Sequence, residues 1–240
     1  RQVSVALQAA MLTAPPTHPG VELQARYLPA AADLEVGGDW YDAFDLPDGD
    51  LAVGVGDVAG HDLSAAATMG QLRSMLRALA YETGSGPPAA PSDVVRRLDR
   101  VASRLDVTGF TTLLFGRVCR QAGRTLFRWA NAGHPPPVLV PPDGEPVLLR
   151  GGVGVVLGVA PERPRVDCEV ELEPGATLLL YTDGLVERRN DPDDIASTDL
   201  LDLVRRGKQL PLSDLCDHLV RGTTADTGDD MVVLALRVQH

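Results

Sequence analysis

Apolar residues recur along the chain with two periods, and the changes of period divide it into elements. Val3, Leu7, Ala10 and Met11 fall at helical spacing, and Pro15-Pro16 must stop that helix. From Val21 the period becomes two: Val21, Leu23, Ala25 and Tyr27 alternate with Glu22, Gln24 and Arg26, which reads as a half-buried strand. Two more strands, Trp40–Leu46 and Leu51–Val55, flank Asp48-Gly49, the residue types of a tight hairpin turn. Helical spacing returns over Ala65–Tyr81, where Met69, Leu72, Leu76 and Leu79 share a face, until a Gly/Pro/Ala stretch at 84–91 breaks it. Ser92 is placed to cap a second helix through Leu105, whose Arg96, Arg97 and Arg100 read as a solvated face. After Phe110 the pattern predicts short strands at 111–118, 125–130, 138–140, 147–149, 166–172 and 177–181. Helices at 200–207 and 212–223 and a last strand at 231–238 follow. Strands and helices do not alternate, so the predicted class is α+β, with mainly antiparallel sheets and helices packed outside.

Composition narrows the function without naming it. The 240 residues carry a net charge of −11 and are 44% hydrophobic and 23% charged, a globular composition that offers no basic surface for nucleic acid. No apolar run approaches the roughly 18 residues needed to span a bilayer, so no membrane insertion is expected. Cys119, Cys168 and Cys216 are too widely spaced for a disulfide framework or a zinc site, which points to a cytoplasmic location. The chain begins at Arg1 inside an amphipathic pattern. The expected organisation is a linker or regulatory helix at 1–16 and a single domain at 17–240, cut from a longer protein. The acids divide into 24 Asp and 9 Glu, and Asp favours caps, turns and hard-cation sites.

Several of those Asp share one context, the end of an apolar strand with glycine close by. They are Asp39 in VGGDWYD, Asp57 in LAVGVGDVAGH, Asp183 in LLLYTDGLVE, and Asp229 with Asp230 in TGDDMVVLALRV. Any single Asp-Gly is ordinarily a turn former, and Asp183 could simply cap a short helix through Arg188. Recurrence changes the reading. Strand ends on one edge of a sheet can converge, and converging carboxylates repel one another unless a cation such as Mg²⁺ or Mn²⁺ neutralises them.

The strings VGGDWYD, GDVAGH, GFTTLLFGRV, WANAGHPPP, YTDGLVE and GDDMVVLALRV resemble, in that order, the PPM-type metal-dependent serine/threonine protein phosphatases. The similarity is greatest to the SpoIIE-like branch that regulates bacterial sigma factors, and it runs from about Leu7 to Val238. The resemblance implies a four-layer αββα sandwich with two Mn²⁺ or Mg²⁺ ions at one end of the paired sheets. It implies that Asp39, Asp57, Asp183 and Asp229 are the catalytic metal ligands, with Asp57 bridging both ions. The Val58 carbonyl is expected as a further ligand, and Asp230 as a neighbour of the ligands or a ligand itself. Such an ion pair would activate a water and offset charge on the phosphoryl oxygens, so no protein nucleophile is required.

The resemblance also implies a partner and a mode of control. The expected substrate is a phosphorylated anti-sigma factor antagonist of the STAS type. An upstream sensor domain in a longer chain would act through the first helix and the helix over 65–81, with a homodimer possible through the N-terminal helix. Weak metal binding and low basal activity would then be expected of the isolated domain. Relatives with an Asp-Gly-His motif carry a His two residues after the bridging Asp; here Ala59 stands there and His61 follows, so an acid role for His61 is weakly founded. His134, in a turn before prolines, reads as structural. A receiver domain would need a parallel sheet in about half this length, and a haloacid-dehalogenase phosphatase would need an Asp-x-Asp nucleophile motif. The remaining alternative is a phosphatase-fold binding module that has lost catalysis.

Overall fold

A computed structural model describes residues 12–29, 37–60, 62–82, 88–107, 109–186, 193–223 and 230–239, the side chains of 193–197 excepted. Most of the first expected helix, His61 and Asp229 lie outside these residues. Eleven strands and four α-helices are present among the described residues. One sheet has the order β1 (Val21–Leu28), β11 (Met231–Val238), β10 (Thr177–Tyr181), β6 (Val138–Val140), β7 (Val147–Leu148). The other has the order β2 (Trp40–Asp45), β3 (Leu51–Val58), β4 (Thr111–Gln121), β5 (Arg124–Ala132), β8 (Val153–Gly154), with β9 (Cys168–Leu172) also paired to β5. All pairings are antiparallel except β5 with β8.

Period-two alternation produces the layers. In β3, Leu51, Val53 and Val55 face the first sheet and, together with Phe127 of their own sheet, meet Leu178, Val232 and Leu234 in a core between the sheets. The intervening Ala52 and Val58 face outward and are covered by α1 (Leu63–Tyr81) and α2 (Pro91–Arg104) through Met69, Leu72, Leu76 and Leu98. The outer face of the first sheet is covered by α3 (Asp193–Gly207) and α4 (Leu212–Thr223), whose Leu203, Leu215 and Leu219 pack on Leu179 and Val233. The result is the expected four-layer αββα sandwich. Among the described residues no helix is long and apolar enough to cross a membrane.

Several local expectations needed correction: α3 begins at Asp193 rather than Leu200 and β9 at Cys168 rather than Val166. Helix α1 starts at Leu63 rather than Ala65, because the Asp62 carboxylate accepts from the Ala65 amide at 2.8 Å and caps the extra turn. Helix α2 is not capped by Ser92: Pro91 opens it after Ala90. The Ser92 amide and hydroxyl both donate to Asp167, a carboxylate 75 residues away that supplies the anion the helix start favours. Asp183 does not cap a helix but is the first residue of a 3-10 turn, Asp183–Leu185, that follows Thr182. The hairpin at Asp48-Gly49 closes as expected, with Gly49 at φ +90°. On α2, Arg96, Arg97 and Arg100 pair with Asp93, Glu82 and Glu162, as a solvated face should.

Two buried carboxylates anchor the helices, one to the sheet beneath and one to the connection between β8 and β9. Asp42, in β2, is fully covered and accepts from Arg73 at 3.1 Å and from Arg77 at 2.5 and 2.6 Å, both on α1. The same two guanidinium groups donate to Thr13, and Arg77 lies 5.0 Å over the Phe44 ring. Asp99, in α2, is bound by Arg165 at 2.7 Å and by the Gly158 amide at 2.8 Å. These anchors fix α1 and α2 over the strands that lead to the acidic end of the sandwich.

Candidate metal centre

Strand register brings the sequence-predicted Asp residues to one end of the molecule. Asp57 is the penultimate residue of β3, opposite Thr112, and Asp39 immediately precedes β2, whose Trp40 pairs with Gly56. Asp183 follows β10 and Asp230 precedes β11 in the opposing sheet. One carboxylate oxygen from each of Asp39, Asp57 and Asp183 lies within 4.8 Å of the other two. These residues are separated by up to 144 positions in sequence, and only the facing of two sheets brings them together.

The glycines beside each Asp permit this approach. A Cβ on Gly38 would strike the Val58 carbonyl oxygen, one on Gly37 the Asp230 carboxylate, and one on Gly184 the Asp230 carbonyl oxygen. Backbone therefore packs on backbone at the end of each sheet, and Gly37 admits the Asp230 carboxylate from the opposing sheet. This packing brings the Val58 carbonyl against Gly38, next to Asp39, and the Val58 amide donates to the Gly38 carbonyl at 3.2 Å.

Hydrogen bonds orient the carboxylates. The Thr182 hydroxyl donates to Asp39 and accepts from the Val232 amide at 2.9 Å, which links β2, β10 and β11 through one oxygen. The Tyr27 hydroxyl donates to Asp230 Oδ2 at 2.7 Å. Sequence reasoning missed both Thr182, just beyond β10, and Tyr27, within β1, because each has a partner far away in the chain and no local mark. Asp39 is 2% exposed and its Oδ2 has no hydrogen-bond partner among the described residues. Burial, then the Asp57 charge, pushes the Asp39 carboxyl well above the usual carboxylate range, against the weaker opposing effect of Thr182. A hard divalent cation fits this donor set. It would reverse the mutual repulsion and engage an oxygen that nothing else satisfies.

His134 is near this end but does not face the carboxylates. Its Nε2 lies 2.9 Å from the Tyr181 carbonyl and must donate to it, so Nδ1 accepts from the Thr112 hydroxyl at 2.7 Å. Asn131 closes the turn with bonds to the His134 amide and carbonyl. Burial pulls the His134 pKa down to about 4. An unfolded chain therefore takes up this proton near pH 6.5 while the folded one resists to about pH 4, so stability is lost as pH falls through that window. The expected loss is up to roughly 3 kcal/mol. Urea unfolding of the wild type and His134→Gln at pH 7 and pH 5 checks it, with the smaller pH effect expected in the variant.

This arrangement has recognisable relatives. The profile of the Stage II sporulation protein E (SpoIIE) family matches residues 47–239. The chain belongs to that family. Among curated proteins it is 27% identical to Protein IcfG of Synechocystis, covering 77% of this chain and 34% of IcfG. It is 24% identical to phosphoserine phosphatase RsbU of Bacillus subtilis, covering 98% of this chain and 69% of RsbU. Among solved structures, the RsbU and RsbW domains of Rv1364c from Mycobacterium tuberculosis match at TM-score 0.81 and 31% identity, over 95% of this chain and 62% of that one. The catalytic domain of the serine/threonine protein phosphatase PstP, in complex with two manganese ions, has the same fold at TM-score 0.61 and 16% identity, over 92% of this chain and 99% of that one. The chain thus spans about a third of IcfG and less than two thirds of the Rv1364c structure.

Proposed function

We propose that the chain is a metal-dependent phosphoserine/phosphothreonine protein phosphatase whose substrate is a STAS-type anti-sigma factor antagonist in a bacterial sigma-factor pathway. The observation that carries this reading is the convergence of Asp39, Asp57 and Asp183 within 4.8 Å at the mouth of a SpoIIE-family sandwich. RsbU and RsbP of Bacillus subtilis are named phosphoserine phosphatases, and PstP holds two manganese ions, which supports the activity and the metal. Asp39, Asp57, Asp183 and the Val58 carbonyl would hold divalent cations, Mn²⁺ or Mg²⁺, joined by Asp230, which precedes β11, and by Asp229, which lies outside the described residues. When bound, such cations activate a water and neutralise phosphoryl charge.

The remaining work falls to this chain's own groups. Thr182 sets the direction of Asp39 and Tyr27 that of Asp230, while Gly37, having no side chain, leaves room for the Asp230 carboxylate of the opposing sheet. No cysteine offers a thiolate nucleophile: burial pushes the Cys216 thiol up to about 12 and raises those of Cys119 and Cys168. His134 has both ring nitrogens engaged and stays neutral, so it holds the turn at the end of β5 rather than passing protons. A cytoplasmic setting, an upstream sensor and homodimerisation through the N-terminal segment complete the reading.

The test is hydrolysis of a serine-phosphorylated STAS-domain protein by the 240-residue chain with Mn²⁺, with Mg²⁺ and with EDTA. Release of phosphate that requires the cation is expected. Equal release in EDTA would rule the proposal out.

A further inference from the structure

Three consecutive prolines, Pro135, Pro136 and Pro137, lead into β6 and have no N–H to offer a neighbouring strand. The register of β6 on β10 sets Leu179 opposite Val138, so with the same register continued Leu180 faces Pro137 and Tyr181 faces Pro136. On the other side of β10 the Thr182 amide donates to the Val232 carbonyl at 3.2 Å. The carbonyl of the same peptide unit, that of Tyr181, is directed the opposite way, toward the prolines. A buried carbonyl in that place needs a donor that the facing backbone cannot supply. His134 supplies it, with Nε2 at 2.9 Å.

The imidazole reaches this carbonyl from the opposing sheet. His134 follows β5, where Gly133 turns the chain at φ +72° and Asn131 bonds the His134 amide at 2.7 Å and its carbonyl at 2.8 Å. Its Nδ1 accepts at 2.7 Å from Thr112 on β4, and Thr112 pairs directly with Asp57 on β3. The ring, 3% exposed, thus spans the sandwich from the residue beside Asp57 to the peptide unit that ends at Thr182, next to Asp183. We propose that His134 is a positioning residue for the metal centre, a bridge from Thr112 to Tyr181 that fixes the separation of Asp57 and Asp183 across the two sheets. This inference rests on the reading of the acidic cluster as a cation site. Filling space would require only a planar ring, whereas the bridge requires a donor and an acceptor on two edges of one ring, which neutral imidazole provides. The spacing matters because a hard cation such as Mg²⁺ holds its oxygen ligands at about 2.0–2.1 Å and tolerates little departure from octahedral geometry.

The experiment is a calorimetric titration of the cation-free 240-residue chain with Mn²⁺, at a temperature where circular dichroism shows each variant folded. His134→Phe keeps a ring and loses both bonds, and its Mn²⁺ Kd is expected to rise about tenfold or more. His134→Gln, whose amide can donate to Tyr181 and accept from Thr112, should stay within about twofold of the wild type. Thr112→Val breaks only one arm of the bridge and should weaken binding about threefold, which keeps the test open if the Phe variant does not fold. A merely structural histidine would lower stability in these variants without ranking their Mn²⁺ affinities in this order. Wild-type affinity in folded His134→Phe, or in Thr112→Val where the Phe variant does not fold, would therefore overturn the proposal. A wild-type chain that takes up no Mn²⁺ overturns instead the cation-site reading on which the proposal rests.

Discussion

Asp57→Ala is expected to lower metal-dependent phosphatase activity by roughly 10³-fold while leaving the cation-free protein as stable as the wild type or more so. Both halves follow from the same geometry. Asp57 lies within 4.8 Å of two other carboxylates, and its charge is one cause of the raised Asp39 pKa. Loss of a residue that merely orients a metal ligand costs about 10–100-fold, so loss of a ligand between two others should cost more. Without a cation, however, the same carboxylate is a source of repulsion, and its removal relieves Asp39. A ligand that binds only the folded state stabilises it by about 2.7 kcal/mol at a hundred times its Kd. Thermal unfolding with and without Mn²⁺ should therefore show an upward shift for the wild type that Asp57→Ala lacks. A variant with lower intrinsic stability and an intact Mn²⁺ shift would mean that Asp57 is a structural turn residue.

The layers were legible in the sequence because one physical pattern encodes them. Alternation along 21–27 and 51–55 gives β1 and β3, and spacing over 65–81 gives most of α1. What the pattern could not carry was any contact between distant residues. Ser92 has the chemistry of a cap, yet Asp167 reaches it from the segment before β9 and Pro91 opens the helix instead. The two-residue strand β8, which pairs in parallel with β5, has too few positions to show a period.

The site divides in the same way. Glycine next to Asp is visible in sequence, and the close contacts of Gly37, Gly38 and Gly184 are the reason those glycines stand there. Thr182 and Tyr27 carry no such mark, although each fixes the direction of an acidic side chain. The excess of Asp also conceals a third group. Apart from turn formers and the acidic cluster, Asp42 and Asp99 are buried counter-ions for arginines 31 to 66 positions away, a use that Asp shares with no local signal.

Asp99 is buried about as deeply as Asp42, and its partner more so: the Asp99 side chain is 1% exposed and that of Arg165 6%, against 11 and 35% for the two arginines on Asp42. Asp99→Ala would leave the guanidinium buried without its anion and the Gly158 amide without its acceptor. Breaking such a pair from one side costs about 3–5 kcal/mol, a large share of the roughly 5–15 kcal/mol that holds a domain folded. The loss should be local first: residues 155–165 are fastened to α2 through Asp99 and to their own backbone through the Arg165 bond to the Val155 carbonyl at 2.9 Å. Amides of that segment should therefore exchange with solvent faster than those of β3 and β4 in the variant. Replacing both partners, Asp99→Leu with Arg165→Met, removes the orphaned charge and is expected to recover more than half of the loss. Guanidinium unfolding of the wild type, Asp99→Leu, Arg165→Met and the double variant closes the cycle and measures the coupling directly. A double variant no more stable than Asp99→Ala would show that the Gly158 and Val155 hydrogen bonds, rather than the ion pair, hold the segment to the helix.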